Sequence, residues 1–191
     1  MRLFVALDID AAIRQRLAEF VSDLRAHVPG VRFVGPETFH VTLKFIGESF
    51  RLDELRRALG AVRAAPVELA FRDCGFFPGP QRPRVFWAGI EAGVELQHLA
   101  GEIDRALRPL GVASEPGPYK PHLTLARAGS GSPRGKGRGP ETGLHSLRQY
   151  LIGKAPPEFG KMTAHEFILF QSVLSPHGAT YTPLARYPLM P

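Results

Sequence analysis

The sequence predicts an α+β fold of two related lobes, and two observations carry that prediction. The tetrapeptide His-apolar-Thr-Leu occurs twice, as His40-Val41-Thr42-Leu43 and His122-Leu123-Thr124-Leu125, each inside a run that reads as a β-strand. Around each copy the hydrophobic pattern passes through strand, helix and strand periods in a similar order, with no short solenoid repeat. A chain of 191 residues suits one domain or two small lobes, and it can bury a core without metal or disulfide staples.

The elements follow from periodicity and punctuation. Leu3 to Ile9 is a short apolar run suited to a buried strand, with Asp10 behind it as a candidate N-cap. Ile13, Leu17, Phe20, Val21, Leu24 and Val28 recur at three- and four-residue spacing and predict a helix stopped by Pro29-Gly30. Val31 to Val34 reads as a brief strand. Thr38 to Gly47 reads as the first motif strand, where strict alternation puts Phe39, Val41, Leu43 and Phe45 on one face. His40, Thr42, Lys44 and Ile46 then share the other.

Leu52, Leu55, Leu59 and Val62 mark a second helix, Val67 to Phe77 a strand, Pro78-Gly79-Pro80 a turn and Arg84 to Ile90 another strand. A third helix runs through Val94, Leu96, Leu99, Ile103, Leu107 and Leu110 to Gly111. Pro116, Pro118 and Pro121 enforce an extended approach to the second motif strand, His122 to Arg127. There alternation places His122, Thr124 and Ala126 on one face and Leu123, Leu125 and Arg127 on the other. Residues 129–143 are rich in Gly, Ser and basic side chains, a composition that predicts a flexible basic loop. A weaker helix fits Leu144 to Ile152, and two last strands fit Lys161 to Val173 and Ala179 to Leu189.

Composition narrows partner and compartment rather than fold. The 24 basic residues outnumber 18 acidic ones for a net charge of +6, and 19 of the 24 are Arg. Guanidinium forks two donors onto phosphate and stacks on bases, so the balance leans towards nucleic acid or phosphorylated ligands. Cys74 is the single cysteine, which excludes an intramolecular disulfide and deprives a zinc cluster of its usual thiolates. The apolar run before Asp8 is too short for a signal-peptide core, and no run reaches membrane-spanning length. A reducing, cytoplasmic setting is expected, with no membrane and no obligate protein partner.

The repeated motif carries the chemistry. Residues two apart on a strand point the same way, so each copy presents an imidazole beside a hydroxyl. Opening a phosphodiester requires a base for the attacking oxygen, an acid for the leaving oxygen and donors for the phosphoryl oxygens. Two imidazoles near neutrality supply the first two roles, and Thr42, Thr124 and a nearby Arg supply the third, so no metal or other cofactor is needed. One strand histidine with a Thr two places on is an ordinary structural feature. Two full matches in strand-like runs are not.

His27, His98, His145, His165 and His177 lack partners at metal-ligand spacing and read as structural or surface residues. Gly135-Lys136 imitates a phosphate cradle, but Ser130 and Gly137 stand where a P-loop needs Gly and Ser or Thr. Cys74, in a predicted strand, reads as packing rather than nucleophile.

Phe39-His40-Val41-Thr42-Leu43-Lys44-Phe45-Ile46-Gly47-Glu48 and Pro121-His122-Leu123-Thr124-Leu125-Ala126-Arg127 resemble the paired motifs of the two-histidine phosphoesterases. Met1 to Ala6, Arg82 to Gly89 and Tyr181 to Leu189 extend the likeness towards the RNA 2′,3′-cyclic phosphodiesterases, the 2′-5′ RNA ligase family. That resemblance implies one domain of two interleaved, pseudo-symmetric lobes, each an antiparallel sheet with flanking helices, and a cleft between them. It also implies a substrate, RNA ending in a 2′,3′-cyclic phosphate, opened to a 2′-phosphate end, with ATP-independent 2′-5′ ligation as the reverse type of reaction.

By the same resemblance His122 is the general base, His40 the general acid, Thr42 and Thr124 the phosphate ligands, and Arg127 an aid to substrate binding. Alternation conflicts with Arg127, which reaches the site only if the strand ends or bulges near Ala126. Lys44, on the His40 face, is a weaker candidate. A small cyclic nucleotide as substrate, or a non-catalytic RNA-binding module, are the alternatives.

Overall fold

A computed structural model of the protein describes residues 1–49, 51–128, 140–175 and 178–190. These residues form β1 (Arg2–Leu7), α1 (Ala11–His27), β2 (Val41–Glu48), α2 (Leu52–Gly60), β3 (Val67–Phe77) and β4 (Val85–Ala92) in the first half. The second half contributes α3 (Val94–Leu107), β5 (His122–Arg127), α4 (Pro140–Leu151), β6 (Glu158–Ala164), β7 (Glu166–Ser175) and β8 (Gly178–Pro188). The strands make two four-stranded antiparallel sheets, ordered β2-β1-β7-β8 and β5-β4-β3-β6. A motif strand therefore lies at an edge of each sheet, and the two edges approach until Cα atoms of β2 and β5 come within 8 Å.

One apolar core joins the sheets and helices. Leu3, Val5 and Leu7 of β1 pack into it with Phe86 and Ala88 of β4, while α1 contributes Ile13, Leu17, Val21 and Leu24 from one stripe. Fully burying a side chain such as Leu17 or Leu59, both inaccessible to solvent, stabilises the fold by about 1.5–3 kcal/mol. Phe4, Ala6 and Ile168 are equally buried but lie outside that cluster, on the opposite face of their sheet. This second face carries the first histidine motif.

Several expectations change. Asp10 stands at the N-cap of α1 but makes no capping hydrogen bond; the Asp8 carboxylate instead accepts from Arg14 at 2.6 Å and from the Ile9 amide at 2.9 Å. Val31 to Val34 shrinks to a single bridge, Phe33 with Ala126. The apolar run from Lys161 to Val173 is two strands rather than one, because the chain leaves one sheet after Ala164 and joins the other at Glu166. In β6 only Phe159 and Ala164 are buried, and no Gly or Pro stands between Ala164 and Glu166, so the sequence carries no turn signal at the crossing.

Of the predicted 129–143 loop, residues 129–139 lie outside the described residues, as does His177. Positions 140–143 are helical, since α4 begins at Pro140, where the missing amide proton has no partner to lose. Gly143 permits close packing in that first turn: a Cβ there would stand 2.7 Å from the Gly30 carbonyl oxygen. Among the described residues no helix is long and apolar enough to cross a membrane.

Candidate active site

The motif strands are irregular at corresponding positions, and the irregularity decides which side chains share the site. β1 pairs Ala6 with Thr42 and Val5 with Lys44, so Leu43 is an extra residue; β4 pairs Trp87 with Thr124 and Phe86 with Ala126, so Leu125 is extra. In each strand one bulge falls on the Leu of His-apolar-Thr-Leu, and β2 carries a second at Ile46, between the Phe4–Phe45 and Leu3–Gly47 pairs. An inserted residue reverses the facing of everything beyond it. Leu43 and Lys44 are consequently both buried, as are Leu125 and Ala126, and the following residues, Phe45 and Arg127, emerge exposed on the histidine side.

The bulges thereby meet the condition set for Arg127 and correct the facing expected of Lys44. Arg127 is returned to the His122 face by the bulge, and its charge acts on His40, His122 and Tyr181. Lys44 leaves the His40 face and enters the interior, 3 % exposed, where its ammonium donates to Asp104 Oδ1 and to the Ala113 carbonyl, each at 2.6 Å. Its role is structural: it clasps β2 to α3 and to the segment that leads into β5.

The imidazoles are held alike at one nitrogen and differently at the other. His40 Nδ1 lies 2.6 Å from the Thr38 carbonyl oxygen, and His122 Nδ1 lies 2.8 Å from the Lys120 carbonyl oxygen. A carbonyl only accepts, so both rings carry a proton on Nδ1, and in the neutral form Nε2 bears the lone pair. His40 Nε2 is 3.0 Å from Thr42 Oγ1, a geometry in which the hydroxyl donates to the ring. Burial pushes His40 down from 6.5 to about 4, opposed by the Thr38 carbonyl and Asp8 and reinforced by Arg127 and Arg14. His122 is also lowered, by burial first and by Arg127 to a smaller extent, against the Lys120 carbonyl.

Aromatic rings fix both imidazoles. Phe4 lies 4.9 Å from the His40 ring and Tyr181 meets it edge-on at 5.1 Å, while Phe77 meets His122 edge-on at 4.9 Å. A cavity of about 570 Å³ opens beside them, lined by Thr42, Leu43, Lys44 and Phe45 from β2, by Phe77, by His122 of the other motif and by Tyr119 and Lys120 just before it; Lys44 borders it although its ammonium is turned inward to Asp104. His40 adjoins it through its hydrogen bond to Thr42. Thr124 is half-buried on the open side of β5, two residues beyond His122 and across from Trp87.

Two links tie the motifs together. Tyr119 Oη donates to the Thr42 carbonyl at 2.8 Å, and the chain just before His40 runs along the free edge of β5, with Val34 N to Leu125 O at 2.9 Å and Arg127 N to Arg32 O at 3.2 Å.

Phe4, Phe77, Tyr119 and Tyr181 escaped the motif reading. The Pro-rich run around Tyr119 and the Tyr181 stretch were visible in the sequence, but ring contacts across sheets leave no local signal. His27, His98, His145 and His165 are all exposed and outside the cavity lining. Cys74 is half-buried, and burial pushes its thiol up to about 11, which suppresses the nucleophilic thiolate.

Two edge strands with the same His-apolar-Thr-Leu pattern, bulged at the same residue and meeting at one cavity, define a protein of the two-histidine phosphoesterase class. Residues 7–87 match the LigT-like phosphoesterase family. An RNA 2′,3′-cyclic phosphodiesterase of Archaeoglobus fulgidus is 36% identical over 96% of this chain and 98% of its own length, and one of Methanothermobacter thermautotrophicus 32% identical over 99% of each. Among solved structures, a Thermus thermophilus protein superposes with a TM-score of 0.77 at 30% identity, covering 99% of this chain and 98% of its own. E. coli LigT complexed with 3′-AMP gives 0.76 at 27% identity, over 100% and 98%. The chain belongs to the LigT-like phosphoesterase family.

Proposed function

We propose that this protein hydrolyses 2′,3′-cyclic phosphate ends of RNA to 2′-phosphate ends, with His122 as general base and His40 as general acid. The observation that carries the reading is the shared cavity, to which one motif supplies Thr42 and the other His122. The kinship with RNA 2′,3′-cyclic phosphodiesterases points to the same substrate.

In this reading His122 Nε2 takes a proton from water as the water oxygen bonds to phosphorus. The bond from phosphorus to O3′ breaks, and a proton from His40 Nε2 neutralises the departing oxygen, leaving the phosphate on O2′. Thr42, Thr124 and Arg127 hold the non-bridging oxygens, whose charge grows in the transition state. His40 is neutral in the unliganded site and must acquire its proton. A phosphate anion that takes over the Thr42 hydroxyl places negative charge next to Nε2, the condition that favours imidazolium. An RNA 5′-hydroxyl in place of water would join two ends through a 2′-5′ linkage without ATP.

The test is hydrolysis of an oligoribonucleotide ending in a 2′,3′-cyclic phosphate, in excess EDTA, with the product monoester identified. A 2′-phosphate is expected, and His40→Ala and His122→Ala should each lose about 10²- to 10⁴-fold in kcat. Formation of neither monoester, or full activity in both variants, refutes the reading.

A further inference from the structure

The open face of the first sheet is aromatic well beyond the catalytic pair. On β1 the core takes Leu3, Val5 and Leu7, which leaves Arg2, Phe4 and Ala6 on the side of His40. Phe4 stacks on Phe170 of β7 at 5.2 Å and 15°, and Tyr181 of β8 packs edge-on against both Phe4, at 4.9 Å, and His40, at 5.1 Å. Phe4 is covered, whereas Phe170 and Tyr181 remain partly open.

Cations flank these rings. Arg2 pairs with Ser172 and Ser172 with Tyr181, so Arg2 and Tyr181 share one rung of the sheet, roughly 9–10 Å apart at the usual strand spacing. Burial pushes the Tyr181 phenol up, and the two charges that pull it back are Arg127 and Arg2. The face is continuous with the catalytic centre through His40, against which Phe4 and Tyr181 both pack.

Partly open aromatic faces between guanidinium groups are what single-stranded nucleic acid binds, bases on the rings and phosphates on the cations. We infer that Tyr181 and Phe170, with Arg2 and Arg127, form a subsite for the nucleotide on the 5′ side of the cyclic-phosphate terminus. The inference rests on the phosphodiesterase reading and extends it: the substrate is an RNA strand rather than a mononucleotide. The terminal nucleoside occupies the cavity beside His122, and the strand leaves past His40 across the sheet.

The experiment compares kcat/KM for cytidine 2′,3′-cyclic monophosphate with that for a trinucleotide ending in the same cyclic cytidylate. The wild-type ratio should favour the trinucleotide. Tyr181→Leu, which keeps apolar bulk beside His40 but removes the π face, should lower that ratio about tenfold, within the range of one lost base stack, and Tyr181→Phe should retain it. Arg2→Gln, at an exposed position, should lower the ratio and reduce the salt slope of trinucleotide binding by about 0.7. Equal efficiency on both substrates, or a ratio unmoved in Tyr181→Leu and Arg2→Gln, overturns the subsite and leaves the phosphodiesterase reading standing. Inactivity of the wild type on both overturns the two together.

Discussion

Removing either half of the Lys44–Asp104 pair deletes the same ion pair, yet the two variants should differ sharply in cost. The Lys44 side chain is 2% exposed and the Asp104 side chain 20%. In Asp104→Asn the ammonium keeps the Ala113 carbonyl but loses its counter-charge in a site that water barely reaches, a situation that costs about 3–5 kcal/mol. In Lys44→Met the apolar stem is preserved, and the carboxylate keeps Arg108 at 2.9 Å, Ser114 at 2.8 Å and some water. The loss is then one charge-assisted bond offset by the desolvation that the ammonium no longer suffers, about 1 kcal/mol. Lys44, Arg108 and Ser114 hold the Asp104 carboxyl well below the usual carboxylate range, so the contrast should persist throughout the mildly acidic and neutral range. Urea unfolding at pH 7 measures it. Asp104→Asn should be at least 2 kcal/mol less stable than Lys44→Met, and the double variant should recover most of the difference. Equal losses in the two single variants would refute the argument that an unpaired buried ammonium dominates.

Acid should expose the burial of His40. Its folded value near 4 lies below the ordinary 6.5, so between those values the unfolded chain binds a proton that the folded site refuses. Stability falls as pH drops from 6.5 to 4, by on the order of 2–3 kcal/mol, and this contribution levels off below; urea midpoints across that range should follow the curve, and His40→Gln should flatten it. Arg127→Lys keeps the charge but loses the forked donors, so kcat/KM on cyclic-phosphate RNA should fall about tenfold; unchanged kinetics would remove Arg127 from the site. Tyr119→Phe deletes one hydrogen bond to the Thr42 carbonyl, a loss of about 1 kcal/mol by thermal or urea unfolding, with a fall in kcat/KM because the link between the motifs loosens.

The α+β class, the three first helices and the two motif strands were legible because each rests on local signals: 3.6- and 2-residue periods, Pro-Gly stops and a repeated tetrapeptide. What escaped was non-local. Strict alternation along β2 and β5 puts Lys44 on the His40 face and Arg127 on the opposite one, and the bulge that Arg127's candidacy required is visible only in the pairing with β1 and β4, which accommodates an extra Leu in each strand. The division of 161–173 between two sheets escaped for the same reason, since the partners that separate β6 from β7 are distant in sequence. His40, Thr42 and His122 are candidates from residue type and spacing alone; Phe4, Phe77 and Tyr181 come into view only once strands from both sheets are assembled around the imidazoles.

The paired bulges also make pairing register a functional quantity. Flattening either bulge while keeping its Leu, so that Leu43 pairs with Val5 or Leu125 with Phe86, would leave every candidate site side chain in the sequence yet send Phe45 or Arg127 into the core and turn Lys44 or Ala126 to the open face. Substitution at 45 or 127 leaves the phase of both strands intact. The two halves can therefore diverge there, one presenting an aromatic ring and the other a guanidinium, while the histidines upstream keep their places. In this fold a slip in pairing costs more than a change of side chain.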